Sequence, residues 1–148
     1  DNQVVNLKTQ AALRNNLIPI VCVGEGLEVR KAGDHVAFTI GQLDAALNGI
    51  AAGDVANLVI AYEPVWAIGT GEVATPADAQ EVCGAIRARI REVYGSAADQ
   101  TRILYGGSMK ADNVAALMLE ADIDGGLVGG ASLDPDEFVS VCRYRMHP

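Results

Sequence analysis

Two rhythms of apolar residues alternate along the chain. Short, nearly continuous apolar runs occur at residues 17–23 (LIPIVCV), 58–62 (LVIAY), 102–105 (RILY) and 124–128 (DGGLV). Runs of this length, bounded by glycine or proline, predict strands. The first is apolar enough to predict burial on both faces. Between the runs, apolar positions recur at helical spacing. Residues 2–15 carry Val5, Leu7, Ala11, Ala12 and Leu13 among polar neighbours. Residues 35–49 put Val36, Ile40, Leu43, Ala46 and Leu47 on one face, with Ile50 just beyond. Residues 75–94 do the same with Val82, Ile86, Ile90 and Val93. Shorter helices are expected at 111–120 and 136–144, a polar loop with a helical turn at 28–33, and a connector at 51–56. Boundary signals agree: Asp34 can cap, Thr75-Pro76 and Asp134-Pro135 pair a cap with proline at the first helical position, and Asp78 stands where a capping box places its acid.

The order is a helix followed by four strand–helix units, with about five helices in all. Strict alternation with apolar strands predicts an α/β fold, a parallel sheet covered by helices through right-handed crossovers. No linker or break in composition divides the chain, so residues 1–148 read as one domain. In such folds the strand C-termini share one mouth, and loops there carry the chemistry.

At that mouth stands the stretch 61–71, AYEPVWAIGTG. The strand delivers Glu63 and stops at Pro64, which has no N–H for a sheet ladder. Val65 and Trp66 follow as a bulky pair, then Ala67-Ile68-Gly69-Thr70-Gly71, a loop of small residues with the composition of a moving lid. Trp66 and Ile68 could desolvate Glu63 and raise its basicity, which suits a general base; the other reading is a structural carboxylate. Glu25, after the first strand, has the same address without a lid and reads as a structural ion-pair partner. Gly69-Thr70-Gly71, Gly106-Gly107-Ser108 and Gly129-Gly130 each read as an ordinary turn when taken alone. Together around one carboxylate they suit a small phosphorylated ligand, met by backbone N–H groups.

Composition narrows the chemistry. Eleven Lys and Arg against nineteen Asp and Glu give a net charge of −8. That disfavours nucleic acid and anionic membranes as partners and obliges an anion site to rely on local N–H donors. Cys22, Cys83 and Cys142 form no metal-type spacing and read as buried thiols in the cytoplasm. No membrane-length apolar run appears. His35 and His147 read as solvated. Lys110 could neutralise charge at the mouth or be a plain surface lysine. No metal cluster, Ser-His-Asp set or G-x-G-x-x-G appears, so no metal or dinucleotide cofactor is expected.

The motifs AYEPVWAIGTG (61–71), ATP (74–76), ILYGGS (103–108) and DGGLVGGASL (124–133), with PIVCVGE (19–25), resemble triosephosphate isomerase. The resemblance runs through essentially the whole chain. It implies half of a (β/α)8 TIM barrel, from the fourth helix through the eighth βα unit. It also implies interconversion of dihydroxyacetone phosphate and glyceraldehyde 3-phosphate through an enediolate, in glycolysis and gluconeogenesis, without cofactor. By matched position Glu63 is the catalytic base, and Gly69, Ser108, Gly129 and Gly130 bind the substrate phosphate. Pro64, Val65 and Trp66 form the first lid hinge and Glu72-Val73-Ala74 the second. Tyr105 and Ser108 latch the closed lid. Glu72 departs from the family, which commonly has lysine there. The family's catalytic lysine ends its first strand and its histidine ends its fourth; no Lys or His here matches either. The resemblance therefore implies a truncated isomerase with little or no activity by itself. A self-associating half-barrel or a phosphate-binding remnant is the alternative. Open edges on the first and fourth strands, and Val59 and Ala61 exposed on the concave face, lead to an expected homo-oligomer, or to completion by an N-terminal half.

Overall fold

The computed structural model describes residues 1–68 and 72–146. Its centre is one sheet of four strands: β1 (Ile20–Val23), β2 (Val59–Tyr62), β3 (Arg102–Tyr105) and β4 (Gly125–Gly126). All pairings are parallel and the spatial order is the sequence order. A doubly wound sheet would reverse its strand order at a switch point. The unreversed order here is that of successive βα units of a TIM-type barrel.

Seven α-helical segments are present among the described residues: α1 (Asn2–Arg14), α2 (Leu27–Ala32), α3 (His35–Leu47), α4 (Ala52–Val55), α5 (Pro76–Tyr94), α6 (Val114–Leu117) and α7 (Pro135–Cys142). The segments expected as a polar loop and a connector thus each contain a helix, α2 and α4. Glycine closes α2, where Gly33 takes φ +82°. At the start of α5, Thr75 and Asp78 form the anticipated reciprocal capping box, with Pro76 behind it.

The pleat assigns each strand residue to a face, and the register places neighbours on the same side. Val21, Val23, Ile60, Tyr62, Ile103 and Tyr105 point to one face, and all are buried. Against them lie Leu43 and Leu47 of α3 and Val82, Ile86 and Ile90 of α5, which form one core. Val93, expected on the same stripe, is exposed, and the core-facing place is taken by Tyr94, which packs against the core and donates its hydroxyl to the Leu47 carbonyl at 2.8 Å.

The opposite face corrects the expectation for β1. Ile20 and Cys22 are exposed, so the strand is buried on one face, and Leu17 and Ile18 lie exposed ahead of it. The expectation for Ala61 also fails. It is fully buried, flanked in register by Cys22 and Leu104, whose larger side chains shield its methyl group, while Val59 is partly exposed. The last unit is shorter than its pattern suggests. β4 retains two residues, and just before it the Asp124 side chain accepts from the Ile103 N–H (2.7 Å) and from Arg87 (2.7 Å). Of the helix expected at 111–120, only Val114–Leu117 forms.

Candidate active site

Glu63 follows β2 directly, and its backbone is clamped from both sides. Its N–H donates to the Val23 carbonyl at 2.8 Å, and the Gly106 N–H donates to the Tyr62 carbonyl at 2.8 Å. A Cβ on Gly24 would lie 1.7 Å from the Glu63 carbonyl oxygen, and one on Gly106 would lie 2.6 Å from the Glu63 Cγ. Both glycines therefore permit close approach around the carboxylate. Pattern reading had given Gly106 a phosphate role and Gly24 none.

Beside Glu63 opens a cavity of about 570 Å3 that includes Ile68, Gly106, Ser108, Lys110, Gly129 and Gly130 in its lining. The carboxylate, the Gly-Gly-Ser loop and the Gly129-Gly130 loop thus meet in one place. Gly129 and Gly130 line the cavity and have nothing within 4 Å of a built Cβ, so the space beside their backbone is open. Among the described residues, the N–H groups of Ser108, Gly129 and Gly130 donate to no backbone carbonyl. An array of such donors can receive an anion. Gly69, expected at the lid tip, lies outside the described residues.

The segment expected as the first lid hinge is a single 3₁₀ turn, Val65–Ala67, entered through a buried Pro64. Val65 is exposed. Trp66 is not part of the cavity lining beside Glu63. Its indole N–H donates to Glu25 Oε1 at 2.8 Å, and the Arg30 guanidinium stands 5.4 Å from the ring centroid. Glu25 is fully buried; it also accepts from the Tyr62 hydroxyl at 3.1 Å and has Arg30 at 3.8 Å. Burial, and then the Glu25 carboxylate, push the Tyr62 phenol above its usual range. Glu25 therefore anchors the 3₁₀ turn through Trp66, consistent with its reading as a structural carboxylate. Of the two apolar residues expected over Glu63, only Ile68 lines the cavity.

Ser108 touches the 3₁₀ turn directly, its hydroxyl donating to the Ala67 carbonyl at 3.1 Å. Tyr105 is fully buried, and burial raises its phenol to about 12. Its hydroxyl oxygen has no hydrogen-bond partner among the described residues. The oxygen lies 2.2 Å from the site of a built Gly107 Cβ, so the phenol occupies the space that glycine leaves.

Cys22 was missed as a neighbour of the site. It belongs to the same face of the sheet as Ala61, and its thiol lies beside Glu63. Partial withdrawal from water, then the Glu63 carboxylate, push that thiol up to about 11. Cys83 is the one buried cysteine of the three, while Cys22 and Cys142 are exposed, contrary to expectation. His35 is partly buried and bonded to Glu81 at 3.0 Å rather than solvated, and it does not line the cavity. His147 lies outside the described residues. Among the described residues, no group of three or more His, Cys, Asp or Glu side chains is arranged for a metal ion.

A family model described as triosephosphate isomerase matches residues 1–145. The chain belongs to the triosephosphate isomerase family. Curated relatives bearing that name include proteins of Streptomyces avermitilis (57% identical over 145 residues, 97% of this chain and 56% of that protein) and Rhodococcus jostii (55% over 142 residues, 95% and 54%). The triosephosphate isomerase of Cutibacterium acnes is 54% identical over 144 residues, 97% of this chain and 56% of that protein. The chain spans little more than half the length of these triosephosphate isomerases. No described helix is long and apolar enough to cross a membrane.

Proposed function

We propose that this chain supplies the base and phosphate cradle of a triosephosphate isomerase site, acting between dihydroxyacetone phosphate and glyceraldehyde 3-phosphate. The observation that carries the reading is the single cavity shared by Glu63, Ser108, Gly129 and Gly130. In this reading Glu63 moves the proton between adjacent carbons of an enediolate. The N–H groups of Ser108, Gly129 and Gly130, joined by Gly69 of the lid, hold the phosphate. Pro64, Val65 and Trp66 hinge the lid, and Tyr105 with Ser108 latches it. Residues 1–148 correspond to the fourth helix through the eighth βα unit of the barrel. No histidine lines the cavity among the described residues, and its one lysine follows β3. Groups that polarise the substrate carbonyl are each worth on the order of 10²–10³ in rate. By itself the chain therefore turns over substrate roughly 10⁴-fold or more below a complete site. An isomerase assay on protein free of host enzyme tests this: near-normal turnover refutes it, whereas ligand binding without turnover is the expected result. A cytoplasmic location belongs to the same proposal, in keeping with three unpaired thiols.

A second reading rests on where the apolar surface lies. Val4, Leu7, Leu17 and Ile18 are exposed on the β1 flank, and Leu133, Phe138, Val139 and Met146 on the β4 flank. Two open parallel edges flanked by apolar side chains favour association. Two copies related by a two-fold axis, or this chain with a complementary N-terminal half, would close the barrel. Mass in solution tests it, and a monodisperse monomer at micromolar concentration would exclude self-association.

A further inference from the structure

Among the described residues, the cavity beside Glu63 carries two charged side chains, Glu63 itself and Lys110. The chain as a whole has a net charge of −8, so a phosphorylated ligand approaches through a repulsive field. Much of the described positive charge is already engaged. Arg30, Lys31, Arg87, Arg89 and Arg91 each stand in an ion pair with a carboxylate. Lys110 is exposed and enters no such pair among the described residues.

Its position is fixed from below. The Lys110 N–H donates to Asn113 Oδ1 at 2.8 Å, and Asn113 Nδ2 donates to the Ser108 carbonyl at 2.9 Å. The next residue, Ala111, donates its N–H to Glu137 Oε1 of α7 at 2.9 Å. One asparagine thus staples the segment that carries both the Ser108 N–H and the Lys110 ammonium. The Lys110 side chain, exposed on a pinned backbone, lines the same cavity as Ser108, Gly129 and Gly130, and its four-carbon stem is long enough to present a full positive charge to an anion held there.

We propose that Lys110 is a ligand-binding residue of this cavity. Its ammonium pairs with the phosphate dianion received by Ser108, Gly129 and Gly130, and draws that dianion in against the field of the chain. The inference rests on the preceding reading that the cavity takes a phosphorylated ligand.

The test is an NMR titration of the protein and of K110M, K110R and K110E with glycerol 3-phosphate, at low and at high ionic strength. At low salt, K110M should weaken binding about 5–20-fold and K110E about tenfold further, while K110R stays within about twofold. Near 0.5 M salt the gap between the parent and K110M should shrink to about twofold, since exposed charges are screened there. Melting temperatures should match throughout, because the side chain is exposed; K110Q replaces K110M if that variant melts lower. If the parent binds and K110M binds within twofold at low salt, with an unchanged salt slope, the role of Lys110 is overturned and the phosphate reading stands. If the parent shows no saturable shift at millimolar probe, both fall.

Discussion

Gly24 and Gly106 sit so close to Glu63 that a Cβ would lie 1.7 Å from its carbonyl oxygen and 2.6 Å from its Cγ. Gly129 and Gly130, which line the cavity beside Glu63, would meet nothing within 4 Å. The same residue type thus does opposite work. Around the carboxylate, glycine is a packing device that lets three strand ends converge. At the rim, glycine leaves backbone donors uncovered. The carboxylate side should therefore answer to substitution in stability, and the rim in ligand binding.

The strongest way to break this contrast is Gly24→Ala. The atom in the way is main-chain oxygen on a clamped strand end, so the clash cannot relax by a rotamer change. A loss of about 3 kcal/mol or more is expected by urea denaturation; a loss under 1 kcal/mol would mean that the strand ends are not held rigidly. Gly106→Ala should cost less, about 1–2 kcal/mol, because the nearest atom is the Glu63 Cγ, which can swing aside. Its larger consequence would be a displaced carboxylate, visible as altered shifts at Glu63. Tyr105→Phe should change stability in the other direction or not at all, by at most about 1 kcal/mol. It removes a buried hydroxyl that has no partner among the described residues. If that hydroxyl serves the closed lid, the same variant should bind ligand more weakly without being less stable. Gly130→Ala should stay within about 0.5 kcal/mol in the urea experiment yet weaken glycerol 3-phosphate binding; a large stability loss there would erase the difference between the two sides.

Thiol chemistry gives a subtler probe of the carboxylate side. Cys22 is raised from 9.0 to about 11, with burial the larger cause and the Glu63 carboxylate the next. A raised thiol pKa means less thiolate at every pH below it. Cys22 should therefore alkylate about tenfold more slowly than an ordinary thiol near pH 8, despite its exposure, because the smaller thiolate fraction is partly offset by the greater nucleophilicity of a more basic thiolate. Cys142 serves as the internal reference. Glu63→Gln should restore part of the reactivity and leave the burial contribution in place. Equal rates at Cys22 and Cys142 would mean that the thiol does not sit against Glu63.

Much of the framework was legible in the sequence because it depends on local signals. The pattern places β3 at Arg102–Tyr105, and Thr75-Pro76 with Asp78 announces the start of α5. The parallel sheet follows from the alternation of strands and helices, and the glycine loops point to one mouth. What stayed hidden depends on contacts across the sheet. The Trp66 indole reaches Glu25, 41 positions away, instead of lining the cavity beside Glu63, and no periodicity encodes that choice. Gly24 looks like an ordinary strand terminator until the Glu63 backbone is seen against it. Cys22 and Ile20 read as buried because a run of apolar residues cannot reveal that helices cover only one face of the sheet. Asp124 caps the Ile103 N–H and binds Arg87, a polar network beside β4 that an apolar pattern does not register.

Labelling the backbone amides and titrating glycerol 3-phosphate into the protein tests the central claim most directly. The account predicts saturable shifts at the N–H groups of Ser108, Gly129 and Gly130, with one common affinity and with Glu63 responding alongside them. Shifts gathered instead at the separate groove of about 290 Å3 that includes Gln10, Arg14 and Asp54 in its lining, or no saturable shift at all, would contradict it.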